Sequence, residues 1–143
     1  MQEYVSAHLR NVAVIGHGRS GKTSLLDACL FNAGAVKRLG STANGSSFLD
    51  VEPEELRRGF SISSKLVAIE WHGCKLNFID TPGYPDFISE VKGALAAADC
   101  ALIVISAPSG IEIETEKGWR FAEEMGLPRA FFVNKMDREH ADF

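Results

Sequence analysis

The sequence has no long apolar run, and this shortage excludes a membrane-spanning protein. No apolar stretch within the 143 residues approaches the roughly 20 that a helix needs to cross a bilayer. The first residues also lack the basic start and apolar segment of a signal peptide. We therefore expect neither a membrane partner nor a secretory leader.

Cysteine is scarce, and so is net charge. The chain has three cysteines, Cys29, Cys74 and Cys100, without the spacing of a metal site, and an odd number cannot all pair. Reduced thiols and a cytoplasmic location are expected. The formal net charge of −4 gives no general attraction to nucleic acid, so we expect no DNA partner, and RNA contacts only through local basic patches. We expect a monomer.

The most informative stretch is a glycine-rich segment, Gly16–Thr23, that reads GHGRSGKT. It fits GxxxxGK[ST] and lies between the apolar run Val12–Ile15 and a helix-like segment, as a phosphate-binding loop requires. Lys22 would meet the β- and γ-phosphates, and Thr23 would offer a hydroxyl to Mg²⁺. The alternative is a plain glycine-rich turn, which the flanking segments disfavour. The predicted phosphate-binding residues here are Gly16, His17, Gly18, Arg19, Ser20, Gly21, Lys22, Thr23 and Ser24.

Strand-like and helix-like segments alternate along the chain. Such alternation predicts an α/β fold, with a mostly parallel sheet covered on both faces. Residues 35–63 have no periodicity, and a loop of this length inside a domain is usually functional or disordered. The strands are predicted at 9–15, 65–71, 75–79, 101–105 and 129–133, with an antiparallel hairpin between the second and third, and the later helices at 86–98 and 112–125.

Asp80 and Gly83 form a DxxG sequence directly after an apolar strand. A carboxylate at this point can hold Mg²⁺ directly or through water. Gly83 can bring its N–H close to a γ-phosphate because no Cβ intervenes. On its own, DxxG is as well explained by a simple Asx-turn. The preceding phosphate-binding loop favours the metal interpretation.

The sequence Asn134-Lys135-Met136-Asp137 follows another apolar strand. Open α/β sheets bind ligands at the carboxyl ends of their strands. Asp137 could accept hydrogen bonds from N1–H and the 2-amino group of guanine, which adenine does not have. We predict guanine binding by Asn134, Lys135 and Asp137, the alternative being a polar turn at a strand end.

With these motifs in order, the chain resembles the GTP-binding domain of translational GTPases, the elongation factor G type most closely. The resemblance rests on GHGRSGKT, RGFSIS, DTPGYPDF and NKMD. It implies a P-loop NTPase fold, a three-layer α/β/α G domain over residues 1–143, with GTP and GDP, Mg²⁺ and a ribosome as partners. It also implies a first switch at 35–63 and a second at 80–98. The metal ligands become Thr23, Ser61 and Asp80, and Lys22 and Gly83 join the catalytic set.

The chain departs from the family pattern after DTPG, where Tyr84 replaces the usual histidine. In the family that histidine orients the attacking water. A phenol has a pKa of about 10 and carries no positive charge at neutral pH. We expect very slow intrinsic hydrolysis with weak stimulation by ribosomes. A catalytic role for Tyr84 and a purely packing role over the switch both remain open.

A second departure is Arg19, where the family usually has an aspartate that helps to hold a monovalent cation. A guanidinium could replace that ion, as an arginine finger in cis would. Turnover would then not depend strongly on potassium over sodium. The alternative is an arginine that points into solvent. A methyl group is also lost at Ser61, where the family has threonine, so the closed switch would be held less firmly.

The chain ends before the last strand, the last helix and the Ser-Ala loop of the family, so the domain is expected to be C-terminally incomplete, with one wall of the base pocket missing. The main functional hypothesis is a Mg²⁺-dependent GTPase switch on the ribosome. The alternatives are a GTP- or GDP-binding module with little hydrolysis, a release-factor-like or ribosomal-protection member of the same family, and an ATP-using P-loop enzyme, which NKMD disfavours.

Overall fold

A computed structural model describes residues 4–50, 52–139, 141 and 143. The expectation about a signal peptide falls partly on residues 1–3, which lie outside the described residues. The strands are Leu9–Ile15 (β1), Lys65–Trp71 (β2), Cys74–Asp80 (β3), Cys100–Ser106 (β4) and Arg129–Asn134 (β5). The helices are Lys22–Asn32 (α1), Pro53–Arg58 (α2), Ile88–Ala96 (α3) and Ile113–Glu124 (α4), with 3₁₀ turns at Ser6–His8 and Pro85–Phe87.

The five strands form one sheet in the order β2-β3-β1-β4-β5. β1 is parallel to β3 and β4, and β4 is parallel to β5, whereas β2 and β3 form an antiparallel hairpin at the edge. The predicted fold class, a mostly parallel sheet with one antiparallel edge hairpin, is confirmed. The register pairs Val14 with Asp80 and Ser106 with Asn134, so the carboxyl ends of these strands reach one edge of the sheet.

The core lies on both faces of the sheet, because successive residues of a strand point to opposite sides. Val14 packs on the face of α1, and its neighbour Ile15 packs on the face of α3 and α4. This arrangement gives the expected three layers. One cluster comprises Ala13, Ile15, Val91, Ala94, Leu95, Ala101, Ile103 and Ala122, and the other Val14, Leu26, Leu30, Leu49, Val67, Ile69 and Val104.

The expectation of no regular structure across residues 35–63 is wrong at α2. Pro53 occupies the first turn, Glu54 and Glu55 lie near the positive end of the helix dipole, and Gly59 ends the helix at φ 70°. Each of these choices favours a short helix. The segment PEELRRG contains these signals, but it is too short to show apolar periodicity.

Two other expectations need correction in detail. The helix predicted from residue 86 begins as the 3₁₀ turn Pro85–Phe87, and the α-helix starts at Ile88. The helix predicted at 112–125 is observed as α4, which ends at Glu124, and Met125 follows it and is exposed. Within the part of the chain that the structure describes, no helix is both long enough and apolar enough to span a bilayer.

Candidate functional site

The phosphate-binding loop connects β1 to α1, and two of its glycines are required by close approaches. A Cβ added at Gly16 would lie 2.3 Å from the carbonyl oxygen of Val104, and one at Gly21 would lie 2.2 Å from Nδ2 of Asn134. Both residues also have positive φ, at 144° and 99°. A side chain would be strained at these angles whatever the space.

Lys22 lies at the base of this loop and is almost fully buried. Its Nζ donates to the carbonyl oxygens of Gly16 at 2.9 Å and His17 at 2.8 Å. Burial lowers the pKa of the ammonium to about 8, against the opposing effect of the Asp80 carboxylate. An ammonium held in this way presents a positive charge at a fixed point, as binding of a phosphate requires.

A cavity of about 350 Å³ opens in front of the loop. The first switch, the DxxG segment and Lys135 complete its walls. The predicted residues that line it are Gly18, Arg19, Gly21, Lys22, Thr23, Ser24, Ser61, Gly83, Tyr84 and Lys135. Ser24 also connects the loop to the first switch, since its Oγ is 3.3 Å from Oγ1 of Thr42.

The three predicted metal ligands meet at one side of the cavity. The Thr23 hydroxyl donates to Oδ2 of Asp80 at 2.8 Å, and its Oγ1 is 3.4 Å from the Ser61 Oγ. Among the described residues, the buried Oδ1 of Asp80 has no hydrogen-bond partner. Burial raises the pKa of Asp80 to about 6, although hydrogen bonding by Thr23 and the Lys22 charge lower it.

This donor set fits Mg²⁺. This cation prefers hard oxygen ligands. The carboxylate that carries the unpartnered oxygen is bonded to the Thr23 hydroxyl through its other oxygen, and the Thr23 hydroxyl lies 3.4 Å from that of Ser61. A buried anion without a full set of partners carries a desolvation cost that a bound cation would offset. The Asp80 carboxylate and the hydroxyls of Thr23 and Ser61 are therefore close enough to ligate one Mg²⁺ together.

Gly83 lies directly against the phosphate-binding loop. A Cβ at this position would be 2.5 Å from the Lys22 Nζ and 2.6 Å from the backbone nitrogen of Gly18. Only a glycine allows this contact. The structure therefore brings the DxxG segment to the loop, as the sequence predicts.

Tyr84 packs over the same loop. A Cβ at Gly18 would be 2.8 Å from Cζ of the Tyr84 ring, and the ring centroid is 4.4 Å from that of Phe60 with a tilt of 44°. These two aromatic rings join the first switch to the second above Gly18. The centroid distance is just below the roughly 4.5–7 Å usual for aromatic pairs, so the two rings are in close contact.

The NKMD segment is connected to the loop at two points. Asn134 donates from Nδ2 to the carbonyl oxygen of Ser20 at 3.0 Å, and Lys135 donates from Nζ to the carbonyl oxygen of Arg19 at 2.6 Å. Asp137 differs from both of these residues. Its side chain is 82% exposed, and within the described part of the chain its ion-pair partner is Arg138, at 3.9 Å.

Arg19 has φ 63° and an exposed side chain that reaches the cavity wall. In the described part of the chain, its guanidinium makes no hydrogen bond or ion pair. The position is therefore compatible with a bound anion as well as with solvent.

His17 was predicted as part of the phosphate-binding loop, and its side chain makes contacts that the sequence did not indicate. The side chain is buried, with Nδ1 3.1 Å from the Thr115 hydroxyl and Nε2 3.4 Å from Glu112. Burial lowers the pKa of His17, while the Glu112 carboxylate raises it. No sequence signal indicated this long-range pairing of His17 with Glu112.

Comparison with known proteins places this geometry in context. The family described as the elongation factor Tu GTP binding domain matches residues 7–143. A ribosome-releasing factor 2, mitochondrial, of Debaryomyces hansenii is 40% identical over 134 residues, which are 94% of this chain and 16% of that protein. The chain therefore spans about one sixth of the length of this curated relative.

Two solved structures are similar in fold and sequence. A crystal structure of a Thermus thermophilus protein has a TM-score of 0.91 and 39% identity over 96% of this chain and 21% of the other. A bacterial selenocysteine-specific elongation factor has a TM-score of 0.71 and 26% identity over 90% of this chain and 20% of the other.

Proposed function

The chain belongs to the family of elongation factor Tu GTP-binding domains and is a translational GTPase domain of the elongation factor G type, and from that premise we propose how its residues act. GTP and GDP bind in the cavity in front of Gly16–Thr23. The backbone N–H groups of this loop and the start of α1 receive the phosphates, since a helix N-terminus favours negative charge. Lys22 adds its buried ammonium at the β- and γ-phosphates.

We propose that Thr23, Ser61 and Asp80 hold Mg²⁺. The ion would neutralise charge on the phosphate oxygens. Ser61 belongs to the first switch and Asp80 to the second, so the occupied site joins the two segments. The unpartnered buried oxygen of Asp80 supports this assignment.

The residues assigned to hydrolysis are Lys22, Gly83, Tyr84 and Arg19. Gly83 is the N–H donor to the γ-phosphate, and its contact with Gly18 supports this role. Arg19 supplies a cation in place of the family's monovalent ion, and its exposed side chain at the cavity wall supports that role. Tyr84 holds its hydroxyl above the loop but cannot take up a proton as histidine does, so turnover is slow.

A binding module that keeps GTP or GDP with little hydrolysis is the second candidate. The observation that favours it is the packing of Tyr84 against Phe60 and over Gly18. A ring held in this way excludes water from the phosphates and leaves the position of the attacking water without a base. Both candidates share the same nucleotide site.

For the intact protein we propose a ribosome as the partner, with the nucleotide site as its switch. The names of the relatives, a ribosome-releasing factor and a selenocysteine-specific elongation factor, support this. A release-factor-like or ribosomal-protection role uses the same motifs. We propose a monomer in the cytoplasm, whereas the yeast relative is named mitochondrial, and cell fractionation of the tagged protein distinguishes the two compartments.

One observation carries the proposal: three segments far apart in the sequence meet at one cavity. Thr23 bonds to Asp80 at 2.8 Å, and Asn134 bonds to the carbonyl oxygen of Ser20 at 3.0 Å. The parallel strands bring the three turns to one edge of the sheet, and the turns are also bonded to one another through their motif side chains. These bonds support adjoining phosphate, metal and base positions.

The test is nucleotide selectivity. The chain should bind GTP and GDP in calorimetry and should bind ATP far more weakly. Asp137→Asn should lower GTP affinity about 10- to 100-fold, because hydrogen bonds to a charged group are lost. The same substitution should raise the affinity for xanthosine triphosphate, since the amide can donate to its 2-carbonyl.

Glu139→Gln is the matched control, an exposed carboxylate two positions away, and it should leave both affinities unchanged. No heat from either guanine nucleotide on folded protein would overturn the proposal. Equal effects of both substitutions would remove Asp137 from the base site.

A further inference from the structure

A buried group of three charges connects the first switch to the start of β2. The Lys65 ammonium contacts Glu55 Oε2 and is 3.4 Å from Asp50 Oδ1. All three side chains are shielded from solvent, with exposures of 15% for Lys65, 9% for Asp50 and 0% for Glu55. Burying charges has a high desolvation cost, and removal of one partner leaves the others buried without charge compensation. The group is therefore a tightly coupled unit.

The two carboxylates of this group bond to Ser61 and to the next residue, Ile62. Asp50 Oδ1 accepts a hydrogen bond from the Ser61 hydroxyl at 2.8 Å, and Glu55 Oε1 accepts one from the backbone N–H of Ile62 at 2.9 Å. One ammonium thus fixes both acceptors. The position of Ser61 therefore depends on its hydrogen bond to Asp50 and on the Lys65 ammonium, and not on a bound ligand.

The direction of the Ser61 hydrogen bond matters for a metal ligand. Because its proton points to Asp50, the hydroxyl oxygen keeps its lone pairs for another partner. The Thr23 hydroxyl is arranged in the same way, since its proton is donated to Asp80. The two oxygens lie 3.4 Å apart, with their protons already assigned.

Lys65 reaches this position through the sheet. It is the first residue of β2 and pairs directly with Asp80 across the hairpin. The register that builds the edge of the sheet therefore also carries an ammonium to the predicted metal side of the cavity. No contact with a ligand is needed to hold it there.

We propose that Lys65 is a positioning residue for Ser61. By holding Asp50 and Glu55, it restricts a serine side chain that lacks the β-methyl group which would otherwise limit χ1. The inference rests on the proposed role of Ser61 at Mg²⁺. In this chain the Lys65 ammonium would restrict the side chain of residue 61, as the methyl group of a threonine does.

The first test measures the mobility of the switch without metal or nucleotide. Arg57 and Arg58 are exposed in α2, at 76% and 55%, and so report as trypsin sites. Lys65→Met should raise the cleavage rate after them about tenfold, because a buried carboxylate that loses its partner strongly destabilises the segment. Lys37→Met, an exposed lysine at the start of the same switch, should leave the rate unchanged.

The second test is rescue. In the Lys65→Met background, Mg²⁺ affinity of the GDP complex should fall about tenfold by calorimetry, and adding Ser61→Thr should recover at least half of the loss on a logarithmic scale. In the parent chain, where Lys65 already restricts Ser61, Ser61→Thr should raise the Mg²⁺ affinity by a smaller factor than it does in the Lys65→Met background. A merely structural role for Lys65 would not produce this dependence on the residue at 61.

Circular dichroism reports whether Lys65→Met folds. If it does not, Lys65→Met combined with Glu55→Gln removes the stranded charge, and the same increase in cleavage is expected. Parent-like cleavage together with parent-like Mg²⁺ affinity in either variant overturns the inference. Loss of cleavage protection without rescue by Ser61→Thr also overturns it. Failure of the parent chain to bind GDP or Mg²⁺ would instead contradict the proposed function. The cleavage test needs neither ligand, so it would still report whether Lys65 holds the first switch.

Discussion

The two ends of the cavity are built differently. At the phosphate end, Lys22 and Asp80 are 6% and 1% exposed and are held by hydrogen bonds to the loop and to Thr23. At the base end, Asp137 is 82% exposed, and among the residues that the structure describes its ion pair is a long contact with Arg138. The phosphate end is already arranged for a ligand, and the carboxylate of the base end is not.

This difference separates affinity from selectivity. A preorganised site has little ordering cost on binding, so most of the affinity should come from the phosphates. Asp137 is exposed and becomes ordered only when it binds the base. Its hydrogen bonds therefore distinguish guanine from adenine but add less to the net binding free energy. The tethers from Asn134 and Lys135 to the loop fix the position of the segment but not this one side chain.

The largest expected effect lies at the phosphate end. Lys22→Met should lower the affinity for GTP and GDP at least about 100-fold, because charge-assisted hydrogen bonds to phosphate are lost in a buried site. Lys135→Met at the base end should cost only about three- to tenfold, since it removes one contact to a backbone carbonyl.

Calorimetry with GDP measures both variants, and circular dichroism checks that they fold. Equal losses would erase the contrast between the two ends. A larger loss for Lys135→Met would reverse it.

Most of the fold could be predicted from the sequence because its strands are either apolar runs or segments in which buried and exposed residues alternate. Leu9–Ile15 and Lys65–Trp71 match the prediction at both ends. The residues of the phosphate-binding loop were predicted for the same reason, since a local pattern specifies them. The short helix α2 was missed because six residues cannot show a helical period.

The parts of the site that the sequence could not predict depend on contacts between distant residues. His17 meets Thr115 across 98 positions, and no local signal indicates which partner a buried histidine will have. The same holds for Lys65, which looks like an ordinary polar residue at the start of a strand. Its two carboxylate partners become visible only when the switch is folded against the sheet.

A second prediction concerns catalysis at the phosphate end. Tyr84→His should raise single-turnover GTP hydrolysis about tenfold or more, because an imidazole can act near neutral pH and a phenol cannot. Tyr84→Phe keeps the ring against Phe60 and removes the hydroxyl. If Tyr84 only packs, the phenylalanine variant should hydrolyse GTP at the parent rate.

Hydrolysis is measured with excess protein, with and without ribosomes. Unchanged or lower turnover in Tyr84→His would contradict the catalytic explanation of this position. A strong loss in Tyr84→Phe would instead give the hydroxyl a direct role.

The smallest expected effect is a pH dependence of stability at the back of the phosphate loop. The charged groups that act on the buried His17 are Glu112, Glu114, Lys22 and Lys135, and burial outweighs the attraction of the carboxylates, so the pKa of His17 in the folded chain lies below its ordinary 6.5. Between those two values the unfolded chain binds more protons than the folded one. The contribution to stability is therefore complete above pH 6.5 and is lost as the pH falls through the lower, folded value.

Replacement of His17 by glutamine removes this titration and keeps a group that can bond to Thr115. Between about pH 7.5 and about pH 5, the melting temperature of the parent chain should fall more than that of His17→Gln. Carboxylates that lie away from His17 titrate equally in both proteins, so the difference isolates His17 and its coupling to Glu112 and Glu114. If the melting temperatures of both proteins changed equally with pH, the imidazole would be as easily protonated in the folded chain as in the unfolded one. Water would then reach His17 behind the phosphate-binding loop more readily than its burial indicates.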